Sequence, residues 1–155
     1  GWTAYLNVLT GSSAQVFDED LGDFVDSYSS GTILDLTTSY QVTDKFALGL
    51  NAADYSFKSD GGYSGLALYP KYSLSDNFAL GLRGEYFKWK DVGSVEGTSY
   101  TSLTASANLK AGGLTFIPEI RLDNASEEIY MKKKTSLGAD TKSAAQFSLA
   151  VVYAF

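Results

Sequence analysis

Gln146-Phe147-Ser148-Leu149-Ala150-Val151-Val152-Tyr153-Ala154-Phe155 is the stretch whose reading decides the fold. Phe147, Leu149, Val151, Tyr153 and Phe155 share one face, and Gln146, Ser148, Ala150, Val152 and Ala154 share the other. Such alternation is the period of a β-strand, whose successive side chains point to opposite faces. A helix would group its apolar residues three and four apart.

The same period runs back along the chain. Residues 114–123 set Leu114, Phe116, Pro118, Ile120 and Leu122 against Thr115, Ile117, Glu119, Arg121 and Asp123. Residues 78–87 set Phe78, Leu80, Leu82, Gly84 and Tyr86 against Ala79, Gly81, Arg83, Glu85 and Phe87. Leu66, Leu68, Pro70, Tyr72 and Leu74 oppose Gly65, Ala67, Tyr69, Lys71 and Ser73. Phe46, Leu48, Leu50 and Ala52 oppose Ala47, Gly49, Asn51 and Ala53, and Leu34, Leu36, Thr38, Tyr40 and Val42 oppose Asp35, Thr37, Ser39 and Gln41. Two weaker segments place Trp2, Ala4, Leu6 and Val8 against Thr3, Tyr5 and Asn7, and Leu103, Ala105, Ala107 and Leu109 against Ser102, Thr104, Ser106 and Asn108. The reading gives eight strands in a single domain spanning residues 1–155.

Their connections alternate in length. Thr43-Asp44-Lys45, Ser75-Asp76-Asn77 and Ala111-Gly112-Gly113 are short, with Asp and Asn expected to bond their own backbone and Gly to supply positive φ. Residues 10–30, 58–62, 91–97 and 124–142 form longer links. Short turns on one rim and long loops on the other are the plan of an outer-membrane barrel, with both chain ends on the periplasmic rim.

A soluble up-and-down barrel would show the same alternation with its apolar face inward. The polar face decides between them. Water-facing strands would be rich in Lys and Glu, whereas this face is mostly Gly, Ala, Ser, Thr, Asn and Gln, which suit a narrow interior. The expected fold is therefore an all-β, eight-stranded, antiparallel up-and-down transmembrane β-barrel whose large apolar residues face lipid. Tyr40, Phe46, Tyr72, Phe78, Phe116, Tyr153 and Phe155 lie outward near the short turns, as an interfacial girdle would. Tyr55, Phe57, Tyr63, Tyr86, Trp89 and Tyr100 sit near the long loops and suggest a second girdle.

Composition narrows the function. There is no Cys and no His, which removes disulfides, thiol nucleophiles and His-dependent catalysis. With 18 acids against 12 bases and a net charge of −6, the chain is a poor binder of nucleic-acid phosphates. No apolar run is long enough for a transmembrane helix, but barrel strands need only about 9–11 residues each. The chain opens at Gly1 without Met, so it reads as a mature or excised form, natural, truncated or designed. No enzyme, cofactor or metal site is expected.

Inward charges should cancel. Asp35, Glu85 and Glu119 stand against Lys71, Arg83 and Arg121, and an interior salt-bridge network is expected, with Tyr5, Tyr69 and Asn51 filling around it. The first long loop, Val16-Phe17-Asp18-Glu19-Asp20-Leu21-Gly22-Asp23-Phe24-Val25-Asp26, is acidic. A calcium site there is outweighed by a solvated loop, because the spacing matches no EF-hand. Phe17, Leu21, Phe24 and Val25 have helical spacing, which would suit a short amphipathic turn over the mouth. Lys132-Lys133-Lys134 in the last loop would neutralise acidic loops or lipopolysaccharide phosphates.

Three stretches carry a family likeness: Ala4-Tyr5-Leu6-Asn7-Val8; Asp35-Leu36-Thr37-Thr38-Ser39-Tyr40-Gln41-Val42-Thr43-Asp44-Lys45 with Leu48-Gly49-Leu50-Asn51; and Phe116-Ile117-Pro118-Glu119-Ile120-Arg121. They resemble the bacterial family known as putative β-barrel porin-2, OmpL-like, whose members are larger, so that this chain looks like the final part of one. The resemblance implies a bacterial outer-membrane location, a bilayer or detergent environment and a porin-like activity. The terminal alternation ending in Tyr153-Ala154-Phe155 is similar to the signal read by the barrel-assembly machinery. Eight strands leave room mainly for side chains, so the expected function is a monomeric barrel with a plugged or very narrow lumen, serving as a scaffold or loop presenter. A passive channel is the alternative, kept open by Gly49, Gly65, Ala67, Gly81 and Ala150; a soluble lipocalin-like carrier is a third reading.

Overall fold

The computed structural model describes residues 1–13, 16–18, 22–25, 29–57, 61–132 and 138–155. Its strands are β1 (Trp2–Ser13), β2 (Val16–Asp18), β3 (Asp23–Val25), β4 (Ser29–Gln41), β5 (Phe46–Phe57), β6 (Gly62–Ser75), β7 (Phe78–Trp89), β8 (Ser99–Ala111), β9 (Leu114–Ala125) and β10 (Ser143–Tyr153). β1 and β4 to β10 form one eight-stranded sheet in chain order. Every neighbouring pair is antiparallel. The fold is all-β and up-and-down, the strand plan of a transmembrane β-barrel. Among the described residues no ladder joins β1 to β10.

β2 and β3 pair on their own, with Phe17 opposite Phe24. This corrects the helical turn expected of that loop, because a short hairpin satisfies backbone groups that a single helical turn would leave open. Glu19, Asp20, Leu21 and Asp26, on which the acidic-site reading also depends, lie outside the described residues, as do Lys133 and Lys134.

The strands of the eight-stranded sheet run 11 to 14 residues, about 36–46 Å at ~3.3 Å per residue. That exceeds the ~25 Å apolar band of a membrane barrel even after tilting. The excess lies at the long-loop end. There the outward face turns polar, through Thr10, Thr32, Asp54, Ser64, Lys88, Thr101, Asn124 and Ser143. Hydrophobic alternation fades at this point while backbone pairing continues, so the ladders outrun the segments read from sequence.

Hydroxyls rather than carboxyls hold two of the tight turns. Thr43 Oγ1 accepts the Phe46 amide at 3.0 Å, and Ser75 Oγ accepts the Asn77 amide at 3.3 Å. Gly112 adopts φ 62°, the left-handed conformation expected of glycine in the third.

Burial is inverted relative to a soluble protein. Among the described residues, only Ala67, Ala79 and Ala125 are buried apolar residues, and no large side chain is fully enclosed. Leu82 and Ile120 are 51% and 56% exposed on the outward face, yet Thr104, on the other face between their strands, is 3% exposed. Exposed Leu, Ile, Val and Tyr side chains form a band across the sheet: Leu34, Leu48, Leu68, Leu82, Ile120 and Leu149 belong to it. Such a surface is far larger than the apolar patches water tolerates and matches hydrocarbon.

Candidate functional site

The polar face carries the chemistry, and strand register explains why its charges meet. Arg83 pairs with Thr104 across β7–β8, and Thr104 with Arg121 across β8–β9. One rung towards the long loops, Glu85 pairs with Ser102 and Ser102 with Asp123. Two guanidiniums therefore lie below two carboxylates on three adjacent strands. Arg121 is the hub: its Nη1 is 2.5 Å from Glu85 Oε2 and its Nε is 2.9 Å from Asp123 Oδ1. Arg121 Nη2 donates to Ser102 Oγ at 3.0 Å, and Ser102 donates onward to Asp123 at 2.5 Å. Arg83 Nε approaches Glu85 at 3.2 Å but makes no aligned hydrogen bond, so that contact is Coulombic.

The charges expected to cooperate divide into three groups. Arg83, Glu85 and Arg121 meet. Asp35 stands apart, accepting from Asn7 at 3.1 Å and Asn51 at 2.9 Å. Lys71 and Glu119 border a cavity with Tyr69, Arg83, Thr104 and Ser106, and no ion pair joins them among the described residues. Asp123, which completes the cluster, was missed in the sequence. Its signal is its place two residues beyond Arg121, on the same face. Tyr5, expected as lumen filling, lies on the exposed edge strand β1.

Glycines on the polar face seat rings from neighbouring strands. A Cβ at Gly49 would come within 3.3 Å of Tyr69, and one at Gly65 within 3.5 Å of Phe87. At Gly31 a Cβ would collide with the Tyr55 ring, 2.7 Å from its hydroxyl. Residues that look like empty space in the sequence are therefore partly filled.

The second aromatic girdle needs correcting. Tyr55, Phe57, Tyr63, Trp89 and Tyr100 share the polar face, because Tyr55 pairs with Tyr63, Tyr63 with Trp89, and Phe87 with Tyr100 in line with Gly65. Only Tyr86 of that set points outward, in register with Leu66. Height along the strands suggested a girdle, but the period of two assigns five of these rings to the lumen side. On the outward face at the opposite rim, Phe46 pairs with Tyr72 and Phe116 with Val151, and the tilted rings of Tyr153 and Phe155 lie 6.2 Å apart. Trp2 joins this rim opposite Tyr40, its indole N–H donating to Thr38 Oγ1 at 2.6 Å.

No group of His, Cys, Asp or Glu among the described residues is arranged to hold a metal. No helix among them is long and apolar enough to cross a membrane, which leaves crossing by strands untouched. The inverted faces and up-and-down order already describe an outer-membrane strand plan, and one comparison gives it a family. The family model described as putative β-barrel porin-2, OmpL-like, matches residues 1–155, the whole chain. The chain belongs to this family. Curated proteins and solved structures gave no match. Membership makes the protein porin-like and points to the outer membrane, consistent with its lipid-compatible exterior.

Proposed function

We propose that this porin-2 family protein provides a narrow hydrophilic path across the outer membrane for ions or small polar solutes, constricted at the Arg83–Glu85–Arg121–Asp123 cluster. One observation carries this reading. The charged side chains keep access to solvent, with Arg83, Glu85 and Arg121 34%, 28% and 26% exposed, among the small residues Gly81, Ser102, Thr104 and Ser106 of the same face. Paired charges at such a site set a local barrier to ions while leaving a water path beside them. A second reading, a plugged barrel acting as scaffold and loop presenter, is favoured by the rings seated on Gly49 and Gly65. Planar-bilayer recording separates the two. Stable conductance steps that change height in an Arg121→Ala variant support the path, and a silent membrane with folded, inserted protein sinks it and leaves the scaffold.

A further inference from the structure

The rings on the polar face form one continuous run at the long-loop end. Tyr55 contacts Phe57 and Tyr63 at centroid distances of 4.7 and 5.4 Å; Tyr63 contacts Phe87 and Trp89 at 5.5 and 5.9 Å. Phe87 contacts Trp89 at 5.1 Å and Tyr100 at 6.0 Å. Trp89 meets both Tyr63 and Phe87 edge to face, at 85°, and remains 49% exposed. A plug built only for packing would enclose its largest ring; this run leaves Trp89 open to solvent.

Directly beneath the rings lies the charge cluster. Phe87, Trp89, Tyr100 and Tyr130 wall a cavity of about 390 Å³ whose floor is Glu85, Ser102, Arg121 and Asp123. Its volume falls at the lower end of the ~300–1,000 Å³ range of ligand pockets. With Arg83 beside the floor, two positive and two negative side chains cancel. An ionic ligand therefore gains no net attraction, while donors and acceptors lie side by side. Aromatic walls favour a ligand with an apolar C–H face, and a guanidinium flanked by carboxylates favours adjacent hydroxyls, which both donate and accept. A pyranose ring has both features.

We infer that this vestibule is a binding site for neutral saccharides, seated against Trp89, Phe87 and Tyr100 with hydroxyls on Glu85, Arg121 and Asp123. It goes beyond solute passage: a sugar can bind here whether or not the barrel conducts. The cavity suits a short oligosaccharide rather than a polymer.

The chain has two tryptophans, Trp2 and Trp89, so a Trp2→Phe variant makes Trp89 the sole indole reporter. The protein is folded in a polyoxyethylene detergent, because glycoside detergents would compete. Its emission is titrated through the millimolar range with maltotriose, cellotriose, trigalacturonate and choline. The expected result is a saturable change with a neutral trisaccharide, weakened about ten-fold by Asp123→Asn, the scale of one lost charge-assisted hydrogen bond. Tyr100→Ala, on the apolar wall, should weaken it as well. No saturable response to either neutral sugar overturns the inference. So does a stronger response to trigalacturonate or choline, or affinity unchanged in both variants. Heat-modifiable gel migration confirms that each variant is folded, and bilayer silence in the same samples would overturn the channel without touching the binding site.

Discussion

Arg121 shows how much one side chain can concentrate. It meets Glu85, Asp123 and Ser102 at once, and losing it strands two partly buried carboxylates. Arg121→Ala should lower stability by about 1–3 kcal/mol, the scale of hydrogen bonds to charged groups. Lys71→Ala should change it little, since no ion pair is formed there among the described residues. Heat-modifiable gel migration across a temperature series reads both, and equal midpoints for the two variants would refute the hub. Glu119, expected in the network, is a poorer probe because it lies outside the hydrogen-bonded group. On the opposite face, Leu82→Arg places a charge at mid-height of the apolar band and should cost about 2–4 kcal/mol, whereas Ser64→Arg at the polar rim should cost about 0–1. Folding yields into lipid vesicles test this, and equal tolerance at both sites would mean that this face does not meet hydrocarbon.

Strands and their connections set where such residues act. Beyond β7 the chain turns through residues 90–98, pinned by Asp91, which accepts the Gly97 amide at 3.0 Å and lies 3.2 Å from Lys88 Nζ. The Gly97 N–H, then Lys88, hold the Asp91 carboxyl below its ordinary value of 3.8. A lowered folded-state value means that the pin contributes fully above that ordinary value. It is lost as pH falls through the lowered one. The Gly97 amide resonance in micelles should therefore titrate with a midpoint below 3.8; a midpoint at or above it would remove the pin. Lys90, just beyond β7, donates to Asp54 at 2.7 Å and ties that strand to β5 across the end of β6. These links sit on the polar rim, where hydration permits loops and ion pairs that the apolar band would not.

At the scale of the molecule, closure depends on the seam between β1 and β10. Among the described residues no ladder joins β1 to β10, and hydrocarbon does not tolerate unpaired backbone edges. Even-numbered residues of β1 and odd-numbered residues of β10 face outward, so closure must pair one parity with the other. With Leu6→Cys fixed, scanning Leu149→Cys, Val151→Cys and Tyr153→Cys should yield an intramolecular disulfide, while Leu6→Cys with Ala150→Cys stays reduced. Crosslinks formed only between molecules would show that the seam is closed by another copy, and would overturn the expectation of a monomer.

Sequence alone determined the eight strands of the main sheet (though not their ends), their order, the side that meets lipid and the family likeness, because a period of two is a local property of the chain. Phe147 to Phe155 needs no partner to display it. The charge cluster was half legible: Arg83, Glu85 and Arg121 could be assigned a face, but only the register across β7, β8 and β9 brought them together, admitted Asp123 and left Lys71 and Glu119 aside. The aromatic vestibule was decided by tertiary structure. Tyr55, Tyr63, Trp89 and Tyr100 are up to 45 positions apart in the chain, and they become one surface only when antiparallel ladders bring their strands within ~5 Å of each other.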